Sequence, residues 1–167
     1  MKENFSKRVQ LLIKQSKEEA IRLGHSYVGS EHLLIGLLKE ETGLAKKVID
    51  VFDIDSNDMI AMVEDMIKSS GGTMTLGHLP LTRRAERILR NAYSEATKRN
   101  ESIADDEHVL LALLLESEGI ARDILKSFSL DYETVNDLIG SSEEDDSLSS
   151  MNKSKGSSEK STTPTLD

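Results

Sequence analysis

The spacing of apolar residues along this chain is that of amphipathic helices. Between Ser6 and Leu23 the apolar positions recur every three or four residues, and lysine and glutamate occupy the positions between them. The residues on the apolar side are Val9, Leu12, Ile13, Ala20 and Leu23. No segment shows the strict alternation of apolar and polar residues that is typical of a half-buried strand. The pattern therefore predicts an all-α fold.

The same pattern occurs twice, at a constant offset of 76 residues and without gaps. The stretch Gly29-Ser-Glu-His-Leu-Leu34 matches Asp105-Asp-Glu-His-Val-Leu110. Other pairs that match at this offset are Arg8 with Arg84, Glu19 with Glu95, Glu40 with Glu116, Gly43 with Gly119 and Phe52 with Phe128. So long a register indicates an internal duplication, and two copies are too few for a solenoid. We therefore predict a closed pair of similar units.

Each unit contains four helical segments, so we predict eight helices in two pseudo-twofold four-helix repeats. Repeat one covers residues 5–68 and repeat two covers residues 81–140, with a glycine-rich linker at residues 69–80. The start of a helix is marked by a side-chain oxygen that accepts from free amides of the first turn. The predicted caps are Ser6, Ser30, Asp55 or Ser56, Thr82, Asp105 or Asp106, and Asp131.

Two further predictions concern burial. Methionine at helical spacing is more often part of a core than of a binding groove, so we expect Met59, Met62 and Met66 to point inward. The neighbouring glutamates Glu18 and Glu19 are expected to face solvent, as most glutamates do.

Residues 141–167 have a different composition from the rest of the chain. Serine, threonine and charged residues dominate there, and large apolar side chains are few. Such a stretch cannot bury enough surface to offset the entropy of ordering it. We predict that residues 1–140 form one domain and that residues 141–167 are a disordered, acidic, serine-rich linker.

Composition argues against several classes of protein. The chain has no cysteine, which excludes disulfides and thiolate metal sites. Its formal net charge of -9 argues against nucleic-acid binding, which requires clustered lysine and arginine. The chain is charged from Lys2 onward and has no apolar run long enough to span a bilayer, so we expect a cytoplasmic protein with no membrane contact. No apolar stripe is left without a partner, so a monomer is expected.

Three stretches carry a family resemblance. They are Val28-Gly-Ser-Glu-His-Leu-Leu34 in the first repeat, and Leu81-Thr-Arg-Arg-Ala85 and Glu107-His-Val-Leu-Leu-Ala-Leu-Leu114 in the second. They resemble the N-terminal (Clp repeat) domain of the Clp/Hsp100 AAA+ ATP-dependent unfoldases, of the ClpC type. The resemblance covers residues 3 to about 140. It implies a fold of eight helices in two pseudo-symmetric repeats, in agreement with the count from periodicity.

The resemblance also implies a role in ATP-dependent proteolysis. This domain would receive protein substrates and adaptor proteins of the MecA sort for a hexamer that unfolds proteins for the ClpP peptidase. The segment 163–167 looks like the stretch before the first ATPase module of such proteins. The chain has no Gly-x-x-x-x-Gly-Lys-Ser/Thr motif, so ATP and magnesium would bind in ATPase modules outside it. We therefore expect no cofactor and no catalysis in this chain.

Glu31 and Glu107 are the candidate ligand-binding residues. A carboxylate in the first turn of a helix favours the positive end of the dipole by about 0.3–1 kcal/mol, which alone would account for both residues. In ClpC-type domains, however, the matching glutamates bind the guanidinium of phosphorylated arginine, so the resemblance implies two such pockets. Helix amides suit the phosphoryl group, and a carboxylate beside them accepts guanidinium hydrogens. We expect the hydroxyl of Ser6 to complete the Glu31 pocket and that of Thr82 to complete the Glu107 pocket.

The second repeat departs from the first next to its glutamate. Where the first has Gly29 and Ser30, the second has Asp105 and Asp106. Their negative charges repel a phosphoryl group, and an aspartate cap competes for the same amides. We therefore expect phosphoarginine to bind at the Glu31 pocket rather than at the Glu107 pocket.

Two alternatives stay open at this point. The chain could be an adaptor-docking module that binds through helix faces and has no small-ligand pocket, or it could be a stand-alone helical hydrolase or metal protein. His32 and His108 do not have the His-Glu-x-x-His spacing, and neighbouring Glu and His side chains diverge by about 100° on a helix. We therefore predict no metal site, and expect both histidines to pack or to cap.

Overall fold

The computed structural model describes residues 4–67 and 79–140, and in these two ranges the chain is mainly helical. The helices are α1 (Lys7–Arg22), α2 (Ser30–Lys39), α3 (Leu44–Val51), α4 (Ser56–Ile67), α5 (Arg83–Lys98), α6 (Asp106–Leu115), α7 (Ile120–Ser127) and α8 (residues 132–140). The described residues form no β-strand, so the predicted all-α fold of eight helices is confirmed. None of these helices combines the length and the apolar character needed to cross a membrane. Most of the predicted linker and the whole predicted tail, residues 141–167, lie outside the described residues.

Capping residues begin the matching helices α1 and α5 as predicted. The hydroxyl of Ser6 accepts from the amide of Val9 at 3.1 Å, and that of Thr82 accepts from the amide of Ala85 at 3.0 Å. Each bond satisfies an amide that has no partner within the helix. The predicted cap at Ser30 is wrong by one residue: Ser30 is the first residue of α2, and the extended residue before it is a glycine without a side chain.

Helices α2 and α6 lie at the centre of the fold. Both are apolar on nearly all sides, as expected of a helix that is surrounded by protein. Leu33 and Leu34 in α2 and Leu110 and Leu111 in α6 are fully buried. The two helices pack against each other and against α1 and α5.

The contacts between helices have the exchange symmetry expected of a duplicated chain. Helix α1 packs on α2 and on α6, and its counterpart α5 packs on α6 and on α2. Likewise α3 packs on α6, and its counterpart α7 packs on α2. Each repeat therefore covers the central helix of the other, and the predicted pseudo-twofold arrangement is confirmed.

Short backbone contacts join the two repeats in equivalent places. The amide of Ser6 donates to the carbonyl of Ala104 at 2.9 Å, and the amide of Thr82 donates to the carbonyl of Val28 at 2.9 Å. The residues just before Ser6 and Thr82 form isolated parallel bridges with the same two partners. As a result, the start of α1 lies beside the start of α6, and the start of α5 lies beside the start of α2.

The prediction that Glu19 faces solvent is wrong, although Glu18 is exposed as expected. Glu19 is only 3% exposed. Its carboxylate accepts hydrogen bonds from Gln15 at 2.9 Å, from Arg22 at 2.6 Å and from Lys39 at 2.7 Å. These donors satisfy the buried charge, which would otherwise be strongly unfavourable.

Only the first of the three α4 methionines lies in the core. Met59 is fully buried, whereas Met62 is 40% exposed and Met66 is 55% exposed. Met59 and Val63 share the buried side of the helix, so Met62 and Met66, four residues apart, lie together on the outer side. Helix α4 therefore presents an apolar strip to its surroundings, and the inward prediction is wrong for these two residues.

Candidate functional site

Each of the two candidate pockets contains residues from both repeats. Because α1 starts beside α6, the hydroxyl of Ser6 donates to Asp105 Oδ1 at 2.8 Å. The predicted pairing of Ser6 with Glu31, and of Thr82 with Glu107, is therefore wrong: the structure exchanges the two hydroxyls. We call Ser6, Arg8 and residues 105–107 the α6 pocket, and Thr82, Arg84 and residues 29–31 the α2 pocket.

In the α6 pocket the side chain of Asp105 is surrounded by donors. Besides the hydroxyl of Ser6, Nη1 of Arg8 donates to both carboxylate oxygens at 3.0 Å, and the amide of Asp106 donates to Oδ1 at 2.9 Å. Burial alone would raise the pKa of Asp105, but these hydrogen bonds lower it below its ordinary value. Asp105 is therefore a well-stabilised carboxylate at neutral pH.

The next residue, Asp106, is fully buried and caps a helix of the other repeat. Its Oδ2 accepts from the amide of Ala45 in the first turn of α3 at 2.9 Å. A Cβ atom at Gly43 would lie 1.9 Å from the same oxygen, so only glycine fits there. The other oxygen, Oδ1, has no hydrogen-bond partner among the described residues. Burial and the nearby charge of Asp105 raise the pKa of Asp106.

Glu107 is buried as well, with 8% of its surface exposed. Burial, together with the charges of Asp106 and Asp105, raises the pKa of Glu107 to about 8. The carboxyl group is therefore largely uncharged at pH 7, because its pKa of about 8 lies above that pH. An uncharged acid is a poor partner for a guanidinium, which makes its strongest pairs with ionised carboxylates.

The α2 pocket has an open first turn in the equivalent place. Gly29 has no side chain, and among the described residues no side chain makes a capping hydrogen bond to the first turn of α2. A carboxylate oxygen of Glu31 lies 2.9 Å from the position that a Cβ atom at Gly29 would take. Glu31 is partly exposed, and the hydroxyl of Ser30 lies 3.4 Å from its Oε1. The α2 pocket thus has a carboxylate at its surface and no aspartate within it.

Both pockets contain an arginine that the sequence reasoning did not single out. Nε of Arg84 lies 3.4 Å from Glu116, and its Nη2 donates to Glu118 at 3.4 Å. Nε of Arg8 lies 3.5 Å from Glu40, the counterpart of Glu116. The signal was present in the duplication, since an arginine follows the capping hydroxyl by two residues in both copies.

The two predicted capping histidines are held in equivalent ways. The amide of Gly29 donates to Nδ1 of His32 at 2.9 Å, and the amide of Asp105 donates to Nδ1 of His108 at 2.9 Å. Burial is the main cause that lowers the pKa of both rings to about 4, so they are neutral at physiological pH. A neutral ring whose Nδ1 accepts must carry its hydrogen on Nε2.

This tautomer bears on metal binding at α6. Nε2 of His108 lies 3.4 Å from Glu101 and 4.0 Å from Glu107, and the ligand atoms of these three residues lie within 4.8 Å of one another. A metal at Nε2 would have to displace the hydrogen that the cap places there, and Nδ1 could then no longer accept from Asp105 without becoming an imidazolate. The cluster is therefore better suited to buried capping than to a metal ion.

The chain is similar to one protein family and to named members of it. It matches the Clp repeat (R) N-terminal domain over residues 4–128 and again over residues 80–167. It is 35% identical, over 98% of its length, to the ATP-dependent Clp protease ATP-binding subunit ClpC of Staphylococcus saprophyticus. The protein of the same name in Staphylococcus aureus strain USA300 is also 35% identical over 98% of the chain. The chain spans 19% of the length of each of these relatives.

Solved structures share its fold at low sequence identity. The Hsp104 N-terminal domain from Candida albicans is similar with a TM-score of 0.66 and 19% identity, covering 80% of this chain and 87% of that one. The N-terminal domain of the chaperone ClpD from Arabidopsis thaliana is similar with a TM-score of 0.64 and 19% identity, covering 79% of this chain and 89% of that one. These structures agree with the helical architecture described above.

Proposed function

The chain belongs to the family of Clp repeat N-terminal domains, and we propose that it receives substrates and adaptors for a ClpC-type protein unfoldase. The relatives' names describe an ATP-binding subunit of an ATP-dependent protease. Because this chain has no P-loop motif, ATP hydrolysis would take place in other parts of such a subunit. Transfer of captured proteins to a ClpP-type peptidase is part of the same proposal.

We propose further that the α2 pocket binds phosphoarginine on tagged proteins. The observation that carries this proposal is one helix end where an uncapped first turn lies beside the carboxylate of Glu31. The first-turn amides and the positive end of the dipole favour a phosphoryl group. The carboxylate favours the guanidinium to which that group is attached. A ligand that carries both groups uses both halves of the pocket, whereas arginine or phosphate alone uses only one.

Two side chains from the other repeat support the phosphoryl half of the pocket. The backbone bond of Thr82 to Val28 holds this residue beside the start of α2, which supports a role for its hydroxyl in the pocket. Arg84 follows it, and its pairs with Glu116 and Glu118 hold the guanidinium in position. An arginine guanidinium binds phosphate through two parallel hydrogen bonds and is well suited to this role.

The test is a calorimetric titration with free phosphoarginine on the wild type and two matched variants. Glu31→Gln replaces the carboxylate that would accept the guanidinium hydrogens with an uncharged amide, so we expect binding to weaken at least about tenfold. Glu107→Gln replaces an acid that is already largely uncharged, so binding should not change. Arginine and inorganic phosphate, each titrated alone, should bind much more weakly. Absence of binding to the wild type, or its loss in Glu107→Gln alone, would overturn the proposal.

Adaptor docking without a small-ligand pocket is the second candidate function. The strip formed by Met62 and Met66 on α4 favours it, because flexible, exposed methionines suit a protein interface. An adaptor of the MecA sort should lose binding to the Met62→Glu/Met66→Glu variant and keep it in Glu31→Gln. Ile103→Glu, at an exposed apolar position outside α4, is the matched control. If all three variants bind equally, docking at α4 is wrong.

A further inference from the structure

The residues immediately before helices α2 and α6 have the same backbone conformation and different side chains. Gly29 has φ of -104° and ψ of -175°, and Asp105 has φ of -116° and ψ of -175°. Both are extended conformations that any residue adopts, so the glycine is not required by the backbone torsions. What distinguishes the two helix ends is the carboxylate that Asp105 places in the α6 pocket.

The donors that surround this carboxylate are the kind that bind a phosphoryl group. They are the hydroxyl of Ser6 at 2.8 Å, the guanidinium of Arg8 at 3.0 Å and a first-turn amide of α6 at 2.9 Å. The counterparts of these residues in the α2 pocket are Thr82, Arg84 and the first-turn amides of α2, and the counterpart of Asp105 there is a glycine. An ionised carboxylate is a smaller anion that makes the same charge-assisted hydrogen bonds.

We infer that Asp105 is a built-in ligand that closes the α6 pocket, so that the domain binds one phosphorylated guanidinium rather than two. The inference rests on the proposed function, because it takes the α2 pocket as the site that stays open. Asp105 is then the residue that sets the number of bound ligands at one.

The rest of the α6 pocket is consistent with closure. Asp106 is fixed beneath Asp105 by its bond to the amide of Ala45, so the first turn of α6 is tied to α3. Glu107 is 8% exposed, whereas its counterpart Glu31 is partly exposed. While both aspartates are present, a guanidinium entering this end meets no accessible, ionised counterpart of Glu31, because their charges help burial to raise the pKa of Glu107.

The test exchanges the two residues and counts bound phosphoarginine by calorimetry. Asp105→Gly should open the α6 pocket and raise the stoichiometry from one to two. Asp105→Gly/Asp106→Ser copies the first repeat fully and should do the same. Gly29→Asp should close the α2 pocket and abolish binding, and the exchange of both residues should restore a single site.

Loss of a helix cap must be separated from opening of a pocket. Asp131 accepts from the amide of Thr134 at 2.8 Å and caps α8. Asp131→Gly therefore removes a cap without touching either pocket, and its stoichiometry should stay at one. Circular dichroism and thermal unfolding of each variant establish that it is folded before its sites are counted.

Each outcome decides between the two proposals. One site in the wild type and one in both opened variants overturns closure by Asp105 and leaves the proposed function standing. No site in the wild type but one in an opened variant would support closure of the α6 pocket by Asp105. It would overturn the proposal that the α2 pocket binds phosphoarginine. Two sites in the wild type overturn the inference, and no site in any folded variant overturns both proposals.

Discussion

The two central helices have the same length and the same kind of surroundings, yet their first turns are used in different ways. At α2, Gly29 offers no side chain to the first-turn amides, and within the described ranges no other side chain caps them. At α6, Asp105 accepts a hydrogen bond from the hydroxyl of Ser6, and Asp106 caps α3 of the other repeat. Two substitutions in a duplicated chain thus convert an open helix end into a joint between the repeats. The backbone stays the same, and only the donors and acceptors are reassigned.

The largest expected difference between the two ends concerns the pH dependence of stability. Glu107 has an ordinary pKa of 4.5 in the unfolded chain and one of about 8 in the folded protein. The folded protein favours the protonated form of Glu107. The contribution of this form to the free energy of unfolding is full below pH 4.5 and is lost as the pH rises through about 8. Since a pKa difference of one corresponds to about 1.4 kcal/mol, the rise from 4.5 to about 8 makes Glu107→Gln more stable than the wild type by up to about 5 kcal/mol at alkaline pH.

Urea unfolding between pH 5 and pH 9, on either side of the pKa of about 8, measures this effect. The matched control is Glu31→Gln, at the partly exposed end, where the free energy of unfolding should change by less than about 0.5 kcal/mol. Parallel pH curves for Glu107→Gln and the wild type would show that Glu107 is ionised in the fold, and the contrast between the two helix ends would fail.

The cap that Asp106 supplies to α3 gives the next largest effect. Asp106→Asn keeps an oxygen for the amide of Ala45 and removes the charge, whereas Asp106→Ala leaves that buried amide unpaired. We expect the free energy of unfolding of Asp106→Ala, measured in urea, to be lower than that of Asp106→Asn by about 1–2 kcal/mol. Ser30→Ala, at the equivalent place in α2, should change stability by less than about 0.5 kcal/mol. Equal stabilities of the Asn and Ala variants would mean that the cap contributes nothing.

The helices and most of their caps could be predicted because they depend on neighbours in sequence. Ser6 and Thr82 bond within their own first turns, and the apolar spacing of α1 and α5 reports the side that packs. The hydroxyl of each pocket could not be assigned in this way. A straight and a crossed arrangement of two repeats share the same internal pattern, and only the distant contacts of Ser6 with Ala104 and of Thr82 with Val28 decide between them.

Buried charge was missed for the same reason. Periodicity treats Glu19 as a polar residue beside another glutamate, and it predicts exposure. The donor that completes its burial, Lys39, lies 20 positions away in α2. The aspartates of α6 were expected to repel a ligand, but the sequence did not indicate that Arg8, 97 positions away, would bind one of them. Side-chain partners that come from other helices are thus the part of the site that sequence alone did not supply.

Glu19 and Glu95 extend the comparison to the sides of the repeats, with a smaller effect. Glu95 is 1% exposed and accepts from the hydroxyl of Tyr132 at 2.6 Å. Burial raises its pKa, but the bonds from Tyr132, Lys98 and Arg99 lower it below 4.5 overall. The stability that the ionised Glu95 contributes is therefore present above pH 4.5 and is lost as the pH falls through the pKa of Glu95 in the folded protein.

Tyr132→Phe removes one of these donors, so we expect a loss of about 1 kcal/mol and earlier unfolding in acid. The counterpart of Tyr132 is Ser56, which accepts a hydrogen bond from Lys46 and does not bond to Glu19. Ser56→Ala should therefore lower stability less and should not change how stability falls in acid. Thermal unfolding at a series of acidic pH values measures both. If the unfolding temperature falls with decreasing pH in the same way in Tyr132→Phe and in the wild type, the hydroxyl does not stabilise the ionised Glu95.

The smallest expected effect concerns the two pocket arginines. The side chains of Arg8 and Asp105 are 32% and 30% exposed, and pairs of this kind contribute less than about 1 kcal/mol. Arg8→Gln leaves Asp105 without its guanidinium, whereas Arg84→Gln affects no such aspartate, so Arg8→Gln should be less stable than Arg84→Gln by about 0.5 kcal/mol at low salt. At 1 M NaCl charges are screened beyond about 3 Å, and the difference should disappear from urea unfolding curves. A difference that persists at high salt would mean that Arg8 acts through the packing of its side chain and not through its charge pair with Asp105.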